Sequence, residues 1–303
     1  MIFYKHVRAL MTVLAMSALS SALADNSMGS YLFSISKEGY ATSYLFGTIH
    51  LPDKRVTELP KNVIDTYRKV DAVYTEIPME AEEMLGAAQS MMLPNGNTLK
   101  DVLPPETLAG FERELKAINP QFTAEPFMAL KIWAAASTLM MLETQLKNPG
   151  VNAMDMALYM GAKKGGKRVG GIESAAEQMA LFDAFSDEEQ IALMDSMLDY
   201  MQEMREQGEG YTDEMIDAYL SGDLKKLEEM MASYEMEDEA LQAKFEKLFI
   251  EDRNVLMAVR IERIMAQNLD QSEFFAVGAA HLYGPGGVPA LLRDAGFDIQ
   301  RVK

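Results

Sequence analysis

Tyr44-Leu45-Phe46-Gly47-Thr48-Ile49-His50 is an apolar, strand-like run closed by Gly-x-x-His, and the chain uses this arrangement twice. Near the C-terminus, Phe274-Phe275-Ala276-Val277-Gly278-Ala279-Ala280-His281 repeats it. After His50 come a Pro-containing loop, a helical pattern from Val63 to Lys69 and a strand from Ala72 to Ile77. After His281 come a Pro/Gly loop, a helical pattern from Val288 to Ala295 and a strand from Phe297 to Val302. Short apolar runs alternating with helical periods imply an α/β fold. The expected architecture is a mixed central sheet built from two related strand-GxxH-helix-strand halves. A large helical insertion, about residues 80–267, separates them. Of three histidines, His6 falls in a leader segment, so both remaining ones occupy equivalent places in the repeated unit. Packing alone does not explain that coincidence.

Residues 1–24 read as a secretory signal peptide: Lys5 and Arg8 precede an apolar stretch, and Ala22-Leu23-Ala24 offers a small-x-small cleavage site. Residues 25–303 are then one domain with the insertion inside it. No later stretch has the length and apolarity of a membrane span. The chain has no cysteine, hence neither a disulfide nor a lipid-attachment thiol, which suits a periplasmic or secreted protein. Net charge is −18, and loss of Lys5 and Arg8 would make it −20. Such acidity argues against nucleic acid or an anionic membrane as partner.

Along the chain, Tyr31 to Ser36 and Ala41 to Phe46 are β-prone and split by Lys37-Glu38-Gly39, the pattern of a hairpin. Helical patterns follow over Pro105–Ile118, from Pro126 to Gln145, and over Asn152–Lys164. One strand, Lys167 to Ile172, interrupts them and ends at Glu173, as Ala72 to Ile77 ends at Glu76. Ser186-x-x-Glu189 reads as a capping box for a helix over Asp187–Gln207. A long helix is expected over Glu237–Gln267, with Leu241, Phe245, Leu248, Phe249, Leu256, Val259 and Ile264 as its buried stripe. Asp252 interrupts that stripe, beside Arg253 and Asn254. Methionines such as Met194, Met197, Met201 and Met204 fall at helical spacing, which reads as core or an adaptable hydrophobic groove rather than a copper site.

His50 and His281 lie just past their strands, and Glu76 and Glu173 at the ends of theirs. If those strands are mostly parallel, the four side chains meet at the carboxyl edge of the sheet, where helix-covered sheets bind ligands. Two neutral imidazoles and a carboxylate make a divalent-metal site with open positions. Its ion would lower the pKa of a bound water and polarise a carbonyl. A second carboxylate would serve as general base or orient a histidine. Without a metal, the same groups still permit acid/base hydrolysis. His-Glu-x-x-His, Gly-x-Ser-x-Gly and P-loop motifs are absent.

These residues resemble the TraB/GumN family, which includes the TIKI peptidases. The resemblance rests on Tyr44 to His50, Leu59-Pro60, Glu76 and Gly150-Val151-Asn152-Ala153-Met154-Asp155. It continues through Gly171-Ile172-Glu173-Ser174 with Gln178, then Arg253-Asn254, then Gly278 to Leu282, and covers nearly all of the mature chain. It implies a core related to erythromycin-esterase and ChaN-like folds and divalent-metal-dependent peptidase activity. By that resemblance His50, His281 and Glu76 match the motifs expected at the metal (Mn²⁺, Co²⁺ or Zn²⁺). Asp155, Glu173, Arg253 and Asn254 match the supporting pattern. Glu173 or Asp155 is expected as base or support, and Arg253 as the holder of a substrate carboxylate or oxyanion. The expected protein is an exported peptidase acting on a peptide or protein through a metal-bound water. The alternative is a non-catalytic metal-, haem- or peptide-binding protein or regulator using the same site.

Overall fold

A computed structural model describes residues 31–233, 236 and 238–302, so the expected signal peptide lies outside the described residues. A six-stranded mixed sheet runs through the molecule: β1 Leu32–Ser36, β2 Ser43–Thr48, β3 Ala72–Thr75, β4 Arg168–Gly171, β5 Glu273–Gly278 and β6 Asp298–Arg301. Their spatial order is β4-β3-β5-β2-β1-β6. β1 and β2 form the expected hairpin, with Leu32 opposite Phe46 and Ile35 opposite Ser43. Its turn needs Gly39 at φ +83°, where a side chain is strained. β6 is antiparallel to β1, while β2, β3, β4 and β5 pair in parallel. Only β1 therefore runs against the rest, and the carboxyl ends of β2 to β5 share one edge.

β5 is buried along its whole length, as a central strand covered on both faces must be. Phe274 and Phe275 are fully buried there, Phe275 stacked on Tyr74 of β3 at 5.5 Å and Phe274 against Tyr67 at 5.7 Å. Each such ring contributes on the order of 1.5–3 kcal/mol by burial. The two histidine motifs are not in step: Gly47 pairs with Val277, and Thr48 with Gly278. Nor are their units neighbours as wholes, because β3 leaves β2 and pairs on the far side of β5.

A second hydrophobic cluster lies within the insertion, where helices Pro105–Ile118, Ile132–Lys147 and Asp187–Glu206 pack around Phe111, Leu115, Leu139, Met194, Leu198 and Met201. Met194, Met201 and Met204 are buried, so the methionine stripe is core, and not an open groove, in this helix. The Asp187–Glu206 helix carries the expected Ser186–Glu189 capping box. The helix expected from Pro126 begins only at Ile132, after a 3₁₀ turn over Glu125–Phe127. The residues between form a turn, with Leu130 N–H bonded to Phe127 O, tied to the preceding loop by Leu93 N–H to Ala129 O and Lys131 N–H to Met91 O.

The long helix expected over Glu237–Gln267 is broken by one π-helical turn, Lys247–Glu251, between helices Glu239–Glu246 and Asp252–Gln267. That turn inserts one residue into the 3.6 period. The buried face after it shifts, from Asp252 to Arg253 and from Leu256 to Met257. Leu256 and Val259, expected inside, are 47% and 58% exposed. The buried face is instead Arg253, Asn254, Met257, Ala258, Ile261 and Met265. Asp252 pairs with Lys247 at the surface.

Candidate functional site

β3 and β4 end side by side, and their pairing runs on for two residues, with Ile172 N–H bonded to Thr75 O and Glu173 N–H to Glu76 O. Glu76 and Glu173 thus leave the sheet edge together, each just past its strand. Ser174 caps the following helix, Ala175–Phe182, in a reciprocal box with Glu177. Gln178, in that helix, donates from Nε2 to Glu76 Oε2 and to Glu173 Oε2, both at 3.0 Å. From the other side Arg253 Nη2 donates to Glu76 Oε2 at 2.6 Å and to Glu173 Oε2 at 2.7 Å. Its Nε reaches Glu173 Oε2 at 3.1 Å and Oε1 at 3.3 Å, and Nη1 donates to Phe249 O. Glu76, Glu173 and Arg253 are all buried. Of the five N–H groups a guanidinium offers, three go to the two carboxylates and one to Phe249 O.

Each histidine is fixed through Nδ1. His50 Nδ1 donates to Asp155 Oδ2 at 2.6 Å, and Thr48 Oγ1 donates to Asp155 Oδ1 at 2.7 Å. Asp155 is buried in the first turn of helix Met154–Lys164, where the helix dipole favours a negative charge. His281 Nδ1 donates to Asn254 Oδ1 at 2.6 Å. The Asn254 orientation is set by its other end, because Nδ2 donates to Gly286 O at 2.9 Å. A carbonyl acceptor at Nδ1 puts the proton there and leaves the Nε2 lone pair free. Both Nε2 atoms face the same carboxylate oxygen, Glu76 Oε1, at 3.5 Å from His50 and 3.8 Å from His281. Glu76 Oε1 also accepts from the Gly278 N–H at 2.6 Å.

The two imidazoles differ electrically. Asp155 raises the His50 pKa well above its ordinary value; partial desolvation of the ring opposes this and Glu76 reinforces it. Burial pushes His281 down to about 4, with Arg253 and His50 adding to the effect and Glu76 opposing it. Burial alone would raise the Glu76 carboxyl, but His50, Arg253 and His281 outweigh it and hold it well below the usual range. The His50 side chain is 55% exposed and marks the open side of the site; that of His281 is 4% exposed.

With both imidazoles neutral, Glu76, Glu173 and Asp155 against Arg253 leave two uncompensated negative charges among buried groups. Buried charge is costly unless neutralised. Proton uptake at His50 removes one of the two; a single divalent cation would remove both. A methyl built on Gly278 would lie 3.1 Å from Glu76 Oε1, 3.3 Å from His50 Nε2 and 3.6 Å from His281 Cδ2, so the glycine keeps clear the space these groups face. Donors bound at about 2.1 Å to a tetrahedral ion stand roughly 3.4 Å apart, comparable with the separations here. Among the described residues, however, no three His, Asp or Glu side chains are drawn together as a formed metal centre. Glu76 Oε1 here faces His50 Nε2 at 3.5 Å and accepts from the Gly278 N–H at 2.6 Å instead.

The structure brings His50, Glu76, Asp155, Glu173, Arg253, Asn254 and His281 into one connected cluster. Gln178 stands in the sequence only as part of a family pattern, and here it bridges both glutamates. Thr48, and Tyr219 through a hydroxyl that donates to Gly47 O at 2.8 Å, also support the site without being singled out by the sequence. Thr48 lies inside the motif, and its alternation with Gly47 is a usable signal; Tyr219 sits in the insertion with none.

A mixed parallel-rich sheet, with a histidine–carboxylate–arginine cluster at its carboxyl edge, defines the class of protein. The chain belongs to the TraB/PrgY/gumN family, which it matches over residues 31–301. It is similar to a metalloprotease TIKI homolog of Nematostella vectensis, 25% identical over 86% of this chain and 65% of the relative. It is likewise similar to metalloprotease TIKI1 of Danio rerio, 24% identical over 91% of this chain and 64% of that protein. Metalloprotease TIKI1 of Homo sapiens is 24% identical over 91% of this chain and 62% of that protein. The chain thus spans less than two thirds of the length of these relatives. No solved structure matches it.

Proposed function

We propose that this chain is an exported divalent-metal-dependent peptidase, with His50 Nε2, His281 Nε2 and Glu76 holding Mn²⁺, Co²⁺ or Zn²⁺. The observation that carries the reading is the buried cluster of three carboxylates against one arginine, in which His281 Nε2 faces Glu76 Oε1 beside the space kept clear at Gly278. The named relatives, metalloproteases, support peptide hydrolysis as the reaction. When bound, the ion would polarise a substrate carbonyl and lower the pKa of water. The protein's own part is positional. Asp155 and Asn254 hold the two rings through Nδ1, while Arg253 and Gln178 hold Glu76.

Glu173 is our candidate proton acceptor, since its Oε1 has only the 3.3 Å contact with Arg253 Nε. Both Asp155 oxygens are closely engaged, which assigns Asp155 to orienting His50. Arg253, with three of its five N–H groups on the two carboxylates, is assigned first to holding Glu76 in place. We read the β2-to-β3 and β5-to-β6 segments as related halves. Residues 1–24 are read as the signal that sends the protein to the periplasm or outside. Among the described residues no helix is long and apolar enough to cross a membrane.

The test is the mass of unstructured peptides incubated with the chain. Fragments carrying one added water, lost with chelator and restored by Mn²⁺, Co²⁺ or Zn²⁺, are expected. A second reading, binding without turnover, is favoured by the prior engagement of Arg253 and gains if tight binding leaves peptide mass unchanged.

Loading should be pH-dependent through His50. Its folded-state pKa is raised, so near neutral pH it carries a proton that an ion must displace. Affinity is therefore expected to fall as pH falls, with about one proton released per ion at pH 7. His281, at about 4, is already unprotonated there. Calorimetry in two buffers of different ionisation enthalpy measures the release, and binding with no proton released would contradict the assignment. Asn254→Ala removes the acceptor that fixes the His281 tautomer and is expected to weaken affinity about 10- to 100-fold. Competition with a chromophoric chelator reads that loss.

A further inference from the structure

Because β2 and β5 pair one residue out of step, and successive strand residues face opposite sides, Gly47 and Gly278 lie on opposite faces of the sheet. Neither glycine is required by its backbone. Gly278 sits at φ −53°, ψ 136°, and Gly47 lies in a regular strand outside the left-handed region. What each provides is room.

A Cβ on Gly47 would overlap Leu282 Cδ1 and lie 3.2 Å from both Cα and Cβ of Ala279. Ala279–His281 is the 3₁₀ turn that carries His281, and Leu282 follows it directly. A Cβ on Gly278 would press on Glu76 Oε1 at 3.1 Å and His50 Nε2 at 3.3 Å. Gly47 cannot easily retreat from an added methyl. Its carbonyl accepts from Tyr219 Oη at 2.8 Å, and the Tyr219 ring is stacked on Tyr31 at 4.9 Å with both rings fully buried. On its two sides β2 is held by the β1 and β5 ladders. Strain introduced at Gly47 therefore passes to the turn over it.

We infer that the two motifs are cross-wired: Gly47 is a positioning residue for His281, and Gly278 for His50 and Glu76. Gly47 clears room for the turn carrying the other motif's histidine, and Gly278 lies closest to Glu76 and the other motif's His50, with its own His281 Cδ2 farther off at 3.6 Å. The stagger of one residue is what makes this possible; in step, both glycines would face the same side. The two copies are consequently not interchangeable. Their histidines reach Glu76 Oε1 as a matched pair only while β2 and β5 keep this register. The geometry stands in the metal-free protein, and only the affinity arm of the test rests on the proposed metal site.

The test uses the full chain, metal-free and labelled with ¹⁵N-histidine, at one fixed pH. Side-chain ¹⁵N–¹H spectra are assigned with His50→Gln and His281→Gln. Gly47→Ala is expected to shift the His281 ring signals and leave those of His50 near wild type; Gly278→Ala should do the converse. Adding Leu282→Ala to Gly47→Ala removes the nearest atom the new methyl meets, leaving the 3.2 Å contacts with Ala279, and should return His281 most of the way to its position in Leu282→Ala alone. A merely structural role predicts that both rings move together, without that return. Movement of His50 but not His281 in Gly47→Ala, or of neither, overturns the inference. Should Gly47→Ala fail to fold, the double variant decides: folding with both rings in place supports the cross-wiring, and failure to fold overturns it. In the affinity arm, Gly47→Ala weakens Co²⁺ binding about 10- to 100-fold. A wild type that binds no Co²⁺ sinks the metal reading while the spectra still decide this one.

Discussion

His281→Ala is expected to abolish stoichiometric divalent-cation binding and to lower kcat/KM for any cleaved peptide by about a thousandfold or more. At 1.36 kcal/mol per factor of ten, that is about 4 kcal/mol of transition-state stabilisation. The size follows from the state of the ring. His281 is buried, unprotonated near neutral pH because burial lowers its pKa to about 4, and locked by Asn254 with Nε2 facing the shared space. Losing such a donor should cost more than the 10- to 100-fold typical of a supporting group. Structural loss is separable from this. The variant leaves Asn254 Oδ1 without its donor, at about 1–3 kcal/mol, so it should still fold. Equilibrium unfolding beside the binding titration distinguishes the two, and a folded His281→Ala that binds and cleaves like wild type would refute the role.

Arg253→Ala should produce the largest change in stability, a loss of about 3–5 kcal/mol near neutral pH. Among the described residues the guanidinium is the only strong positive charge bonded to both Glu76 and Glu173, and its removal leaves the two carboxylates buried and facing each other. Glu76 has a folded pKa held well below its ordinary 4.5, so in wild type it contributes stability present above that value and lost as pH falls through the folded pKa. Without Arg253 the folded pKa rises and that contribution shrinks. The difference between variant and wild type should therefore be greatest above about pH 5 and diminish below roughly pH 4.5. Urea unfolding at several pH values measures it. A variant within about 1 kcal/mol of wild type at pH 7 would mean that the pair of glutamates does not depend on Arg253.

The relation between sequence and site follows from which features are local. Gly-x-x-His after an apolar run, a Glu closing each short strand, and Ser186-x-x-Glu189 are local signals, and each has its counterpart in the structure. Strand order is not local. Nothing in β2 or β3 says that β5, from the other end of the chain, will lie between them. The stagger between the motifs likewise depends on pairing partners, so the repeat read as two equivalent copies hides glycines with different tasks. The π-helical turn at Lys247–Glu251 is a subtler case. A stripe counted at 3.6 residues buries Leu256 and Val259; one extra residue exposes both and turns Arg253 and Asn254 inward. The polar interruption visible at Asp252 was a sign of that slip, displaced by one position. Tyr219 was illegible for another reason: its hydroxyl matters because of a carbonyl at Gly47, far away in the chain.

Titration of chelator-stripped full chain with Co²⁺, followed by visible absorption, tests the central claim most directly. One ion per chain is expected, with a spectrum of mixed nitrogen and oxygen ligation that is lost in His50→Ala, His281→Ala and Glu76→Gln alike. A wild type that binds no ion, or binding that persists unchanged in all three variants, would contradict it.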